Sequence, residues 1–348
     1  MIDEESHALV SLIATVLNDA EGARLFFRRM QEQTRRPDEI VILDAGSTDG
    51  TWEMLGDYAR SGSIPLKAFQ IERCKPAASR NQCARAASYE ILAVTDIGCD
   101  WMPQWFEELV APFERDPSIQ AVMGSWLVRW EDQKTPWAQA DPLLRGGLEF
   151  IATPQSHAAN RSIAYTKDFY FKLGGLPEDL SFACDDMALD LLIQASGEKV
   201  ASAPEPRCIW HRPQSFEALV NEARRNFKGA AEAGIWFKYF FINIVRFGLE
   251  FLVIVMLLAS FITRFPSLGI YALGFLGSFL FLLRLRNWVP HWRAIHARGT
   301  IATPVHVALL DYATRFCALC GYVAGLRRGR IHCLECRKKL HRAGYNWW

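Results

Sequence analysis

The sequence predicts an α/β fold, a mostly parallel sheet flanked by helices, followed by a C-terminal helical membrane hairpin. Three observations carry it. Short β-branched apolar runs alternate with helical patterns over residues 8–130. Three of those runs end in acidic residues. From Trp236 to Trp288 the chain is almost unbrokenly apolar.

The strand-like runs are His7–Ala14, Glu39–Asp44, Leu66–Ile71 and Ile91–Thr95, each closed by polar or glycine-rich residues. Between them, Glu21–Gln33 carries apolar residues at Ala23, Phe26, Phe27 and Met30. Thr51–Arg60 and Pro76–Ser88 follow, the latter with proline at a first helical position. In such sheets ligands gather at the carboxyl ends of the strands. Those ends read Thr15-Val16-Leu17-Asn18-Asp19, Asp44-Ala45-Gly46-Ser47-Thr48-Asp49-Gly50-Thr51 and Thr95-Asp96-Ile97-Gly98-Cys99-Asp100. Singly, each reads equally well as a turn with a helix cap. Three on one rim make a site the stronger reading.

Composition narrows the class. The chain has 348 residues and a formal net charge of +1, so no global field favours nucleic acid. Nine cysteines scattered through it imply no disulfide framework. The opening MIDEESHALV is acidic and lacks the basic and apolar regions of a signal peptide. There is no internal repeat.

With these ends in view, residues 8 to about 235 resemble glycosyltransferase family 2, inverting nucleotide-sugar transferases of GT-A fold, and within it the membrane-associated bacterial members with a TDxGC variant of the DxD motif. SLIATVLND with EIVILDAGSTDGT is similar to the family's opening strand and DGSTDGT loop. Ala78-Ser79-Arg80-Asn81 resembles its ARN helix, and Asp96-Ile97-Gly98 stands where DxD falls. Asn160–Ala164 with Gly174-Gly175-Leu176-Pro177-Glu178 resembles its acceptor-side segment, and Cys184-Asp185-Asp186 its ED motif.

The resemblance implies roles. Asp44 would accept from the base imide of a UDP- or GDP-sugar, with Asp19 and Thr15 lining the same pocket. Arg80 would approach the diphosphate, which suits a guanidinium fork, and Asp96 would reach ribose and metal. Asp186 would be the general base and Asp185 its supporting carboxylate. The same two acids also read as the first turn of a helix, since MALDLLIQ follows at helical spacing.

The third DxD position is Gly98, so a divalent cation (Mn²⁺ or Mg²⁺) would depend on Asp96, Asp100 or His211. His211 in Cys208-Ile209-Trp210-His211 also reads as a structural histidine. The acceptor would be a glycan or lipid-linked hydroxyl in cell-surface glycan synthesis. Gly98, and Asp185 in place of Glu, keep open a catalytically lapsed domain serving as a membrane-bound assembly partner. A nucleotidyltransferase would want a basic, glycine-rich loop after the first strand, which TVLNDAEG lacks.

The expected domains are catalytic 1–235, hairpin 236–288 and a basic cytoplasmic or interfacial tail 289–348. In the hairpin, Phe247–Ile262 and Leu268–Leu283 flank a turn at Thr263–Ser267. A buried helical pair is the alternative. Arg284, Arg286, Arg293 and Arg298 after the second run place the catalytic domain on the cytoplasmic face of the membrane by the positive-inside rule. Residues 301–326 read as an interfacial amphipathic helix. Cys317-x-x-Cys320 and Cys333-x-x-Cys336 have zinc-ribbon spacing, although the first pair also fits an apolar helix face.

Overall fold

Val10–Val16, buried along almost its whole length, forms strand β1, and Asp19 caps the helix α1 (Ala20–Gln31) that follows. The alternation continues as β2 (Glu39–Asp44), α2 (Thr51–Ser61), β3 (Leu66–Gln70), α3 (Pro76–Ala86) and β4 (Ile91–Val94). All four strands are parallel, in the order β3-β2-β1-β4. The computed structural model describes residues 7–157, 159–263 and 267–345, without the side chains of 254, 257–263, 267–273, 279–281, 283–285, 287 and 290.

The second half of the sheet is mixed, where the sequence pointed to a mostly parallel one. Its elements are β5 (Cys99–Trp101), α4 (Trp105–Arg115), β6 (Ala121–Leu127), a 3₁₀ turn at Trp130–Asp132, α5 (Pro136–Arg145), β7 (Glu149–Phe150), β8 (Ile163–Thr166), α6 (Lys167–Lys172), α7 (Asp185–Ala195) and β9 (Val200–Trp210). β8 runs antiparallel to β4 and to β6, and β5 antiparallel to β9. Irregular connections such as 151–157 permit these reversals, because only parallel neighbours demand a long crossover.

The core lies on both faces of the sheet. One side joins Phe26, Met30, Trp101, Trp105 and Phe106, and the other Leu43, Met123, Tyr165 and Tyr170. Full burial of each such large side chain stabilises by about 1.5–3 kcal/mol.

The chain then becomes helical as α8 (Phe216–Ala233), α9 (Phe237–Thr263), α10 (Ser267–His296), α11 (Pro304–His332) and α12 (Leu334–Arg342). The expected turn between α9 and α10 lies, at 264–266, outside the described residues. Helix α9 exposes Phe241, Val245, Leu249, Phe251 and Leu252, a surface that soluble helices usually bury. Among the described residues one helix, Pro304–His332, is long and apolar enough to cross a bilayer, and a third of its apolar window is buried in the fold.

The segment 301–326, expected as an interfacial amphipathic helix, exposes Val305, Leu309, Phe316 and Val323 and packs by other residues on the fold. Helix α11 packs along α8 by a stripe of glycines one turn apart. A Cβ on Gly321 would lie 2.1 Å from the Arg224 carbonyl oxygen, and one on Gly325 2.3 Å from that of Lys228. These contacts are with backbone, so the helices must separate to admit a methyl. We expect Gly325→Val to destabilise by about 1–3 kcal/mol or more, through overpacking. Gly248→Ala, where an added Cβ meets nothing within 4 Å, should leave thermal unfolding unchanged or slightly raised. Equal melting temperatures for the two variants would refute the close packing.

The glycine stripe also settles the zinc ribbon. Cys317 and Cys320 sit in mid-α11, and Cys333 caps its end. Twelve helical residues lie between Cys320 and Cys333, and thirteen steps of 1.5 Å set them about 20 Å apart, beyond any shared tetrahedral ion. Cys333 and Cys336 are buried, all four are free thiols, and no metal-binding cluster occurs among the described residues.

Candidate active site

Three parallel strands deliver the predicted residues to one rim. Thr15 lies near the end of β1 and Asp19 follows it, Asp44 ends β2 and Asp96 follows β4, and the register sets Val16 beside Asp44. The rim is open: Leu17, Asn18 and Gly98 are exposed, and Thr15 and Asp96 partly so.

Asp44, which the resemblance assigns to the nucleobase, is already engaged within the fold. It is fully buried, and one carboxylate oxygen accepts from the Ser47 amide (3.0 Å) and hydroxyl (2.6 Å), the other from Gln70 Nε2 (2.9 Å). It shapes the loop, and a nucleobase could use only the one acceptor position left on Oδ2, which is covered in this structure. The loop turns at Gly46 and Gly50, both at φ near +90°, where a side chain would be strained. Asp49 accepts from Thr51 and from the Ala20 amide, so the turn-and-cap reading of this loop also holds. Asp19 is spent in part on its helix, accepting from the Gly22 amide at 2.9 Å.

Arg80 organises the rest. Its buried guanidinium donates from Nη2 to Asp96 Oδ1, and its Nη1 lies 3.5 Å from Asp185 Oδ2. One cation thus joins the strand end expected to bind a donor to the helix expected to supply the base. Burial opposes its charge, but Asp96 and Asp185 outweigh that and hold its pKa above the ordinary range.

Asp185 and Asp186 open helix α7, as the helix-start reading has it, and a base at that position is compatible with it. Asp185 is buried and Asp186 half-exposed, with its Oδ1 accepting from the Met187 amide at 2.8 Å. Burial pushes the Asp185 carboxyl up to about 6, the Asp186 charge adding to the rise and Arg80 opposing it. A neighbouring acid poised near neutrality suits proton transfer.

Two further residues stand near this pair. Asp190, one turn along α7, is buried with an unpartnered Oδ1. Burial and the Asp186 and Asp185 charges hold it well above the carboxylate range. His157 follows β7 in a loop tied to α7 by Gln194, which donates to the Pro154 carbonyl at 2.8 Å. Burial lowers its imidazole pKa against the pull of Asp186. Asp190 was readable as an i+4 neighbour of Asp186. His157 carried no sequence signal, since a long irregular loop brings it there.

Of the proposed metal ligands, Asp100 is withdrawn. Its carboxylate sits inside the fold, held by Arg29 (2.6 Å) and Arg129 (3.1 Å). His211 follows Trp210, which pairs with Cys99, so it sits at the strand end beside Gly98. Its Nδ1 lies 3.7 Å from Asp132. No three His, Cys, Asp or Glu side chains converge as a cation site among the described residues. A Cβ on Gly98 would meet nothing within 4 Å. Asp96 and the strand end carrying His211 fit an ion only if most of its ligands are diphosphate oxygens and water.

The glycosyl transferase family 2 model matches residues 11–176, which takes in all three strand ends and Arg80. Those residues carry a family 2 glycosyltransferase domain. The chain is 24% identical over 243 residues to the O-antigen chain rhamnosyltransferase WbaN of Salmonella anatum, spanning 61% of this chain and 73% of that protein. Its fold is similar to that of the mannosyltransferase PcManGT from Pyrobaculum calidifontis, solved with GDP-Man and Mn²⁺. That likeness has a TM-score of 0.50 at 18% identity and covers 99% of this chain and 88% of that one. Staphylococcus aureus TarS aligns at 16% identity with a TM-score of 0.46, over 62% of this chain and 39% of its own. The family 2 match stops short of Asp185 and Asp186.

Proposed function

We propose that this glycosyltransferase moves a hexosyl group, with inversion, from a UDP- or GDP-sugar to the hydroxyl of a glycan or lipid-linked acceptor at a membrane surface. The observation that supports it most is the Arg80 bridge between Asp96 and Asp185. The nucleotide lies along the ends of β1, β2 and β4, near Thr15, Asp19 and Asp44. Its diphosphate competes with Asp96 for Arg80, whose fork suits two anionic oxygens at once. The acceptor oxygen attacks the anomeric carbon, the bond to the β-phosphate oxygen breaks, and the electron pair leaves on the diphosphate. Asp186 takes the acceptor proton, with Asp185 beside it. A divalent ion, when bound, neutralises charge on the leaving diphosphate, and Asp96 with His211 would hold it.

The exposed apolar face of α9 and the apolar α11 support membrane attachment. The cytoplasmic orientation of the catalytic domain rests on the arginines that follow α10.

The test is hydrolysis of a panel of UDP- and GDP-sugars by the detergent-solubilised full chain, with Mn²⁺ and with EDTA. We expect turnover of at least one donor, stimulated by Mn²⁺, which tolerates imidazole better than Mg²⁺ does. His211→Ala should raise the Mn²⁺ requirement. No turnover and no nucleotide binding across the panel would favour the lapsed domain.

A further inference from the structure

Residues 174–184, which lead into Asp185 and Asp186, are gripped from two sides. On one side α3 holds them. Asn81 donates to the Leu176 carbonyl at 2.8 Å and accepts from its amide at 3.0 Å, and Lys75 donates to the Glu178 carbonyl at 2.8 Å. On the other side the grip comes from α8, 51 residues later in sequence, and from α11 and α12, about 150 residues later.

There Asp179 is the centre. Its Oδ2 accepts from the Glu335 amide at 3.0 Å and the Cys336 amide at 3.1 Å, capping the N-terminus of α12. Its carbonyl accepts from Arg328 (3.1 Å) and from the Cys333 thiol (3.2 Å). Lys339 reaches back from α12 to the Gly174 carbonyl at 3.1 Å. Glu232, with no exposed surface, accepts from the Ser181 amide at 2.7 Å and meets Arg328 at 3.2 Å. Arg337 then ties α12 to the end of α8 through the Glu232 carbonyl, at 2.8 Å.

The last residue of the segment shows why such a grip is needed. Cys184 has φ +65°, the left-handed region, although it is not glycine. A residue held there costs about 1–3 kcal/mol and persists only where its surroundings over-determine it. That strained residue sets the direction in which α7 starts, and so where the two carboxylates point.

We propose that α12, seated on Asp179, is a positioning element for the catalytic carboxylates. The tail then belongs to the active site's scaffold, and Asp179 and Lys339 act on turnover without touching substrate. This rests on the reading of Asp186 as general base. A misplacement of about 1 Å costs on the order of 10²-fold in rate, so a loosened segment should lower kcat and spare the donor site, which α3 and the strand ends hold independently.

The experiment measures steady-state hydrolysis of the best nucleotide sugar of the panel, and nucleotide affinity, in detergent-solubilised full chain. The variants are Asp179→Ala, Asp179→Asn, Lys339→Met and Asp186→Asn. We expect Asp179→Ala to lower kcat by about ten-fold or more, with donor KM and nucleotide Kd unchanged. Asp179→Asn keeps a capping oxygen and should recover most of the turnover. Lys339→Met, a milder change, should show the same kcat loss in smaller degree. A lowered melting temperature with unchanged kcat per folded molecule would overturn the proposal. So would equal loss of nucleotide affinity and turnover. If Asp186→Asn is inactive while both Asp179→Ala and Lys339→Met retain full kcat, the clamp alone fails. Turnover retained in Asp186→Asn would remove the base assignment itself.

Discussion

Asp186→Asn is expected to abolish transfer while leaving nucleotide binding nearly intact. The base acts on the acceptor oxygen, and the donor is held elsewhere, at the ends of β1, β2 and β4 and by Arg80. Loss of a single general base costs about 10²–10⁴ in rate. The amide is isosteric and keeps an oxygen to accept from the Met187 amide, so the helix start should survive. Turnover and nucleotide affinity, measured on one preparation, separate these effects. A variant with half the parental turnover would end the role.

Arg80→Ala should be nearly as damaging, with a different signature. The guanidinium serves Asp96 and Asp185 together, so its loss frees two carboxylates to repel each other and the diphosphate. Removal of one preorganised electrostatic group typically lowers kcat by about 10²–10³. Donor affinity should fall as well, unlike in Asp186→Asn. The pH dependence supplies the finer check. The Asp185–Asp186 pair must lose its last proton for the base to work, and Asp185 is pushed up to about 6. Activity should therefore fall as pH drops through about 6. Arg80 opposes that rise, so removing it should move the acid limb to higher pH and return part of the activity under alkaline conditions. An acid limb that stays in place in Arg80→Ala would show that the guanidinium does not sense the pair.

Much of this arrangement was legible in the chain. Strand–helix alternation and β-branched runs gave β1 to β4 and their helices within a few residues, because period and composition act locally there. Arg80, Asp96, Asp185 and Asp186 were each readable by motif, and the fold brings them to one place. What escaped depends on long-range packing. The fate of Asp44 turns on Gln70, the neighbouring strand's last residue. Asp100 looked like a spare ligand until Arg29, 71 residues earlier, proved to be its partner. The mixed half of the sheet could not be read from strands as short as Cys99–Trp101. Nor could the docking of α12, since its cap is supplied by Asp179, some 156 residues away. The cysteine spacing misled because the helix between the pairs is continuous, and spacing alone carries no geometry.

The central claim is that a nucleotide sugar binds across the ends of β1, β2 and β4 with its diphosphate on Arg80. Determining the structure of the full chain with a non-hydrolysable UDP- or GDP-sugar tests it most directly. The diphosphate should lie within hydrogen-bonding distance of the Arg80 guanidinium, with the Arg80–Asp96 pair loosened and the anomeric carbon facing Asp186. A nucleotide bound elsewhere, or one at the rim with its sugar turned away from Asp186, would contradict it.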